Sequence, residues 1–258
     1  MNRQEPDWLY GIHAVEKFLK QSPHLIYVLS IVKGKLNVRQ QALLDTAKAL
    51  GVNIQFEPKS FFNKFSVNHQ GIVAQVAHRP DLTEKALPDI LANANNPLFL
   101  FLDGVQDPHN LGAILRTADA TGVDAVIIPK HHAVGLNATV RKVACGAAES
   151  VKLVVVNNLV RTLALLKKEG MWMIGLDGET QQTIYQTDFK TAIGIVMGAE
   201  GKGLRQLTRQ ACDHLAAIPM VGTVESLNVS VATGVVLYEA FRQRHLTQSN
   251  TQSSAYIL

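Results

Sequence analysis

From residue 98 onward, short and almost continuously apolar runs alternate with segments long enough to form helices. Six such runs are present: LFLFLD (98–103), VDAVIIP (123–129), VKLVVV (151–156), MWMIGL (171–176), TAIGIVMG (191–198) and HLAAIP (214–219). Strands that are apolar along most of their length are typical of a parallel sheet with helices on both faces. We therefore predict a parallel-sheet α/β domain over residues 98–245.

The first third of the chain predicts a smaller α/β domain over residues 1–78. Apolar residues recur at helical spacing over residues 11–20 and 36–50. Short β-rich runs lie between and after these segments: LIYVLSIV (25–32), VNIQFE (52–57) and GIVAQVA (71–77). Three prolines and several asparagines between residues 78 and 97 predict a linker over 79–97, and the polar residues 246–258 predict a frayed tail.

Positive charge is concentrated in this first third. Residues 1–80 carry ten Lys or Arg and five Asp or Glu, whereas residues 81–258 carry fifteen Lys or Arg and sixteen Asp or Glu. The net charge of +4 therefore comes from the N-terminal part. Such asymmetry indicates that the N-terminal domain contacts a polyanion such as a nucleic acid. An ordinary solvated basic surface remains the alternative on charge alone.

Several classes of protein are excluded by composition. A hydrophobic content of 47% with 18% charged residues excludes intrinsic disorder. Two cysteines exclude a disulfide framework, and His109, His131 and His132 fit no metal-binding spacing, so no metal is expected. No apolar run approaches the roughly 18 residues that cross a bilayer, and the N-terminus is too polar for a signal peptide. We expect a soluble cytoplasmic protein without a membrane partner.

Three segments carry polar groups where a parallel sheet binds ligands. In DGVQDPHNLGAILRTADATG (103–122), Asp107 and Pro108 can begin a helix whose apolar stripe points away from Arg116. GAEGKGL (198–204) is a glycine-rich loop that lacks both the Walker A ending and the G-x-G-x-x-G pattern. In IPMVGTVESLNVSVATGVVLYEAFRQR (218–244), Ser226 can cap a largely apolar helix. Taken singly, each segment also fits a plain structural interpretation, namely a solvated face, a tight turn and a cap.

Taken together, residues 103–119, 194–204 and 218–235 resemble, in order and spacing, the three motifs of the SpoU class of SPOUT RNA 2′-O-ribose methyltransferases. YGIHAVEKFL and HQGIVAQV resemble parts of that family's ribosomal-protein-like substrate-binding domain. The similarity is strongest to members that methylate a guanosine ribose in 23S rRNA. The resemblance implies a trefoil knot in the C-terminal α/β domain, a homodimer, and S-adenosyl-L-methionine as the cofactor.

Carried over position by position, the resemblance implies five catalytic residues: Asn110, Arg116, Glu200, Ser226 and Asn228. It implies four cofactor-binding residues: Gly198, Ile218, Met220 and Leu227. Arg116 matches the family's central catalytic residue. Because a guanidinium normally keeps its proton, we expect Arg116 to hold a phosphate and to stabilise the developing alkoxide. The other four catalytic residues would orient Arg116 and the ribose through hydrogen bonds.

The resemblance gives the basic residues an expected partner, 23S rRNA or a precursor of the large ribosomal subunit. The expected phosphate contacts are Lys33, Lys35 and Arg39 in the first domain, and Arg141 and Lys142 in the second. The expected target is a guanosine in the peptidyl-transferase P loop. The alternatives are a tRNA or another rRNA site, and a non-catalytic assembly factor that binds RNA. A nucleotide-dependent dehydrogenase is disfavoured because DGVQDPHNLG lacks G-x-G-x-x-G.

Overall fold

The computed structural model describes residues 7–65, 68–77, 82–201 and 203–246. The predicted tail beyond residue 246, the first six residues and the predicted domain boundary at residue 78 lie outside these ranges. Among the described residues, no helix combines the length and apolar character that crossing a bilayer requires.

Residues 7–65 and 68–77 form a small four-stranded sheet with three α-helices. The elements are β1 (Asp7–Tyr10), α1 (Ile12–Gln21), β2 (Ile26–Val32), α2 (Val38–Ala49), β3 (Ile54–Glu57), α3 (Lys59–Phe62) and β4 (Ile72–Val76). β4 pairs antiparallel with β1 and β2, and β2 pairs parallel with β3, which gives the order β1-β4-β2-β3. The predicted helices and strands of the first third are therefore confirmed.

One face of the small sheet and the helices α1 and α2 enclose a core of their own. Leu29 and Ile72 from the sheet and Val15 from α1 are fully buried in it. Asn37 begins α2 with a capping box, since its side chain accepts from the Gln40 backbone N–H while the Gln40 side chain accepts from the Asn37 backbone N–H, both at 2.9 Å. This cap fixes where the exposed loop after β2 ends.

The described residues from 82 onward form a seven-stranded sheet with six α-helices. The elements are β5 (Leu82–Thr83), α4 (Leu87–Asn93), β6 (Leu98–Asp103), α5 (Pro108–Thr121), β7 (Ala125–Pro129), α6 (Ala138–Val143), β8 (Leu153–Val156), α7 (Leu159–Lys168), β9 (Trp172–Leu176), β10 (Ile193–Gly198), α8 (Gln206–Ala211), β11 (His214–Ala216) and α9 (Val229–Phe241). The strand order is β11-β9-β10-β6-β7-β8-β5, and every pairing is parallel. The predicted parallel-sheet α/β fold is confirmed, while the trefoil knot stays a prediction.

The predicted linker over residues 79–97 is corrected by the structure. Leu82 and Thr83 form the edge strand β5 beside β8, and Leu87 and Ile90 of α4 are buried against the larger sheet. Pro88 lies in the first turn of α4, where a missing N–H breaks no helical hydrogen bond. Among the described residues, Pro88 and Pro97 therefore mark the starts of short elements, and residues 82–93 are not an unstructured connection.

Candidate functional site

Three of the predicted catalytic residues meet at the ends of three different elements. Asn110 lies in the first turn of α5, Glu200 follows β10, and Asn228 precedes α9. The Asn228 amide Nδ2 donates to Asn110 Oδ1 at 3.0 Å and to Glu200 Oε1 at 3.3 Å. The Asn110 amide Nδ2 donates to Glu200 Oε2 at 3.2 Å. We call Asn110, Glu200 and Asn228 the amide–carboxylate cluster.

The helix starts that present this cluster are capped by side chains. Asp107 accepts from the backbone N–H of His109 at 2.9 Å and begins α5. Asn228 accepts from the backbone N–H of Ser230 at 2.9 Å and begins α9. The predicted cap at Ser226 is wrong, because α9 begins two residues later than expected and Ser226 lies in the exposed loop before it.

The glycine-rich loop after β10 depends on a close backbone approach. Ala199 and Gly203 exchange two backbone hydrogen bonds of 3.0 and 2.9 Å, which closes a tight loop that carries Glu200. A Cβ atom at Gly198 would lie 2.1 Å from the carbonyl carbon of Gly203. Gly198 therefore has to be glycine for the loop to close, whatever else it contacts.

A polar cavity of about 400 Å³, called here the first cavity, lies on one side of the cluster. Its walls include Asn110, Glu200, His132 and Arg205. Asp103, only 1% exposed at the end of β6, holds Arg205 through an ion pair to Nε at 3.5 Å and accepts from its backbone N–H at 3.2 Å. Sequence reasoning missed Arg205, although the position directly follows GAEGKGL. Among the described residues, no group of three or more His, Cys, Asp or Glu could hold a metal.

A second cavity of about 550 Å³ lies between the loops that follow β9 and β11. Ile218, Met220 and Leu227, three of the residues predicted to bind a cofactor, line it together with Ser226. Gly198, the fourth, is not among its lining residues. Leu227 lines the second cavity and Val229 lines the first, so the chain passes from one cavity to the other at Asn228, a member of the amide–carboxylate cluster.

The second cavity also carries one firmly ionised carboxylate. Burial acts to raise the pKa of Asp177, but hydrogen bonds from the Arg209 side chain and the Glu179 backbone N–H, with the positive charge of Arg209, hold that pKa below its ordinary value. The cavity therefore combines apolar walls with an ionised carboxylate at its edge whose charge is paired with Arg209.

Arg116 stands apart from the cluster. It lies six residues after Asn110 on α5, which corresponds to about 9 Å along the helix axis and a different face. Its side chain is exposed, and Nη1 lies 3.8 Å from the sulfur of Cys145. Of the five predicted catalytic residues, the structure therefore brings together three, places Ser226 in the second cavity, and leaves Arg116 outside both cavities.

Four of the five predicted RNA contacts are exposed. Lys33, Lys35 and Arg39 lie around the loop between β2 and α2, as predicted, and Lys142 is exposed on α6. Arg141 requires a correction. Its side chain is 15% exposed, and its guanidinium pairs with Glu149 and, at 3.6 Å, with Asp7 of the small sheet. Two carboxylates already neutralise Arg141, so it links the two sheets instead of presenting a charge to RNA.

Comparison with known proteins identifies two regions. The family model described as "SpoU rRNA Methylase family" matches residues 97–238, and the one described as "RNA 2'-O ribose methyltransferase substrate binding" matches residues 8–81. The chain is 51% identical to the 23S rRNA (guanosine-2'-O-)-methyltransferase RlmB of Shewanella oneidensis, over 93% of this chain and 99% of that protein. It is 49% identical to the protein of the same name from Escherichia coli K12, over 92% and 99%.

Solved structures give the same fold. The SpoU methyltransferase AviRb from Streptomyces viridochromogenes, in complex with AdoMet, superposes with a TM-score of 0.76 at 23% identity, over 92% of this chain and 89% of that one. The TrmH/SpoU tRNA modifying enzyme of A. aeolicus superposes with a TM-score of 0.55 at 31% identity, over 64% and 83%. This chain belongs to the SpoU rRNA methylase family.

Proposed function

We propose that this protein transfers a methyl group from S-adenosyl-L-methionine to the 2′-hydroxyl of a guanosine in 23S rRNA. The observation that carries the proposal is the identity near 50% to two proteins named as 23S rRNA guanosine-2′-O-methyltransferases, across 99% of their length. The amide–carboxylate cluster between two cavities supports it, because one cavity can receive the cofactor and the other the nucleotide.

The second cavity suits S-adenosyl-L-methionine in size and chemistry. A volume of about 550 Å³ is ordinary for a small-molecule site. Ile218, Met220 and Leu227 provide apolar walls for an adenine ring, and Asp177 provides an acceptor for hydroxyl or ammonium groups. When bound there, the cofactor would supply an electrophilic methyl group.

The first cavity suits the ribose and its neighbouring groups. Transfer to a hydroxyl requires in-line placement and stabilisation of negative charge on the oxygen. Glu200 accepts hydrogen bonds from both Asn110 and Asn228, which fixes the two amides relative to each other. The cluster is therefore built to orient a hydroxyl, whereas positive charge for the alkoxide and the adjacent phosphate has to come from outside these three residues.

We propose that Arg116 supplies this charge to the cluster of a second copy of the chain. α9 presents an apolar outer stripe on which Val231 is 52% exposed and Tyr238 54% exposed, one heptad apart. Exposed apolar stripes of this kind favour a helix–helix interface. α9 packs beside α5, so a homodimer formed through α9 would bring Arg116 of one protomer near the other protomer's cavities.

We propose the peptidyl-transferase P loop of 23S rRNA as the location of the guanosine, with a cytoplasmic large-subunit precursor as a second form of the substrate. The match of residues 8–81 to a substrate-binding domain favours an rRNA. The same-class alternative, a tRNA, draws support from the A. aeolicus enzyme, which superposes on only 64% of this chain.

The test is transfer of labelled methyl groups to 23S rRNA and to tRNA, with the product mapped by its resistance to alkaline cleavage. A single 2′-O-methylguanosine in the P loop is the expected result. Methylation at another rRNA site or in tRNA would overturn the target, and no transfer to any RNA despite cofactor binding would favour the assembly-factor alternative.

The role of Arg116 has a separate test. Arg116→Ala should abolish transfer and leave cofactor binding unchanged, and Glu200→Gln should also inactivate the enzyme. If Arg116 acts across the interface, mixed dimers of these two variants recover activity at one of their two sites. Mixed dimers that stay inactive would place Arg116 in the same chain's site, and a monomer in sedimentation at micromolar concentration would overturn the dimer.

A further inference from the structure

The second face of the small sheet carries a cluster of aromatic rings around one lysine. Leu9 of β1 is buried in the core, so Trp8 and Tyr10 point to the opposite face. The ring of Phe65 lies 5.1 Å from that of Trp8 and 5.4 Å from that of Tyr10. Phe61 completes the group at 5.8 Å from Phe65.

Lys64 is an exposed side chain whose ammonium group lies against three of these rings. Its Nζ is 4.0 Å from the centroid of Phe61, 4.9 Å from that of Phe65 and 5.1 Å from that of Trp8. The contacts of Lys64 are favourable cation–π interactions, and aromatic rings beside a cation are also the combination that holds a base and its phosphate.

The aromatic cluster lies in the same part of the small domain as the exposed basic residues described above. The Lys33 backbone N–H donates to Glu57 O at 2.8 Å, which places the end of β2 beside the end of β3, directly before α3. The Gln40 side chain donates to the carbonyl of Gln70 at 2.8 Å, which holds the start of α2 against the loop before β4. Lys33, Lys35 and Arg39 therefore lie at the same end of the sheet as the rings.

We propose that Trp8, Tyr10, Phe61 and Phe65, with Lys64, form a stacking surface for unpaired bases of the RNA substrate, which we call the ring–lysine surface. The residues Trp8, Tyr10, Phe61 and Phe65 are each partly exposed in spite of their mutual packing. Stacking on aromatic side chains is how proteins hold unpaired RNA, and neighbouring lysines hold its backbone. The proposal rests on the proposed function only for the identity of the RNA.

A tryptophan in the surface allows a direct optical test. The sequence has two tryptophans, Trp8 and Trp172, so Trp172→Phe leaves Trp8 as the sole tryptophan reporter. Trp172 lies on β9, away from both cavities. We expect a single-stranded oligoribonucleotide to quench Trp8 fluorescence at saturation, and an abasic chain of the same length to bind without quenching. Binding of both chains with no difference in quenching would overturn the proposal.

Affinity measurements on a conservative variant give a second test, in which a loss of the fold can be told apart from a loss of stacking. Phe65→Leu keeps an apolar side chain, so the fold can be checked by thermal unfolding. It should weaken binding of the base-bearing oligonucleotide about tenfold and leave the abasic chain unaffected. Lys48→Ala, an exposed lysine at the far end of α2, is the matched control and should weaken both probes equally. Equal losses for both probes in Phe65→Leu would also overturn the proposal.

These readouts separate the two levels of inference. Base-dependent quenching without methyl transfer would overturn the proposed function and support the stacking surface. Methyl transfer to 23S rRNA without base-dependent quenching would support the function and overturn the surface.

Discussion

The Asn228 side chain donates to Asn110 across 118 residues of sequence, with 3.0 Å between Nδ2 and Oδ1. The same side chain accepts from the backbone N–H of Ser230 through its oxygen. One asparagine therefore begins α9 with one end of its amide and ties Asn110 and Glu200 together with the other.

These two roles of Asn228 can be separated by substitution. Asn228→Ala removes both the cap and the amide donor, and we expect it to cost about 1 kcal/mol of stability and about 100-fold in kcat. Asn228→Ser keeps an oxygen that can cap α9, so thermal unfolding should stay close to wild type while kcat falls as in the alanine variant. Wild-type kcat in Asn228→Ser would show that the donation to Asn110 and Glu200 is not needed.

Local sequence patterns predicted the strands and helices well, because apolar periodicity records which face of each element is buried. The cluster could not be derived that way. Glu200 lies 90 residues after Asn110 and Asn228 lies 118 residues after it. No local sequence pattern predicts that these three residues meet. Only the resemblance of three motifs to a family predicted their convergence.

Two of the errors have a common physical origin, which is that a residue's partner lies elsewhere in the chain. Arg141 is a basic residue of the kind that contacts RNA phosphates, but the carboxylates of Glu149 and Asp7 neutralise its charge. Asp103 and Arg205 pair across 102 residues, so no local sequence pattern predicts the pair. Pro88 resembles a linker residue until its place in the first turn of α4 is known.

Gly198 should be intolerant of even one methyl group. Gly198→Ala would place its Cβ 2.1 Å from the carbonyl carbon of Gly203, and this backbone atom cannot move without opening the loop that carries Glu200. We expect a loss of about 3 kcal/mol in stability and of most methyl transfer. Gly135→Ala is the control, because nothing lies within 4 Å of the position that its methyl group would take and its φ is not positive. Equal melting temperatures for the two variants would contradict this account of the loop.

The exposed basic residues after β2 should determine the salt dependence of RNA binding. Replacing Lys33, Lys35 and Arg39 with glutamate should lower the slope of log affinity against log salt by about 2, since each phosphate contact contributes roughly 0.7–0.9. Cofactor binding should not change. The exposed residues Lys152, Lys168 and Lys190 of the larger sheet domain supply a control with the same change in charge. A slope that falls equally in both triple variants would indicate a general charge effect in place of a local contact.

The end of α9 should give the protein a pH-dependent contribution to stability. Arg242 donates from Nε and Nη2 to the two carboxylate oxygens of Glu239, both at 2.8 Å, and Gln243 donates to the same carboxylate at 2.8 Å. The hydrogen bond from Arg242, with that from Gln243 and the charge of Arg242, holds the pKa of Glu239 below its ordinary value although burial acts to raise it.

A carboxyl group whose pKa is lowered in the folded state stabilises the fold above its unfolded pKa, about 4.3 for glutamate. This contribution is lost as the pH falls through the lower folded-state pKa. Arg242→Met should therefore lower the melting temperature at pH 7, and the difference from wild type should shrink below about pH 4.

Arg244 provides the matched control for this experiment. Its guanidinium donates to the backbone carbonyls of Phe189, Asn96, Pro97 and Thr191, which do not titrate, and the carboxylate of Asp124 acts on it through charge alone. Arg244→Met should cost roughly 3 kcal/mol, and its difference from wild type should not shrink between pH 7 and pH 3 in the way expected for Arg242→Met. If both differences change in parallel with pH, the acid sensitivity belongs to the whole fold. If only the difference between Arg242→Met and wild type shrinks, the acid sensitivity belongs to Glu239.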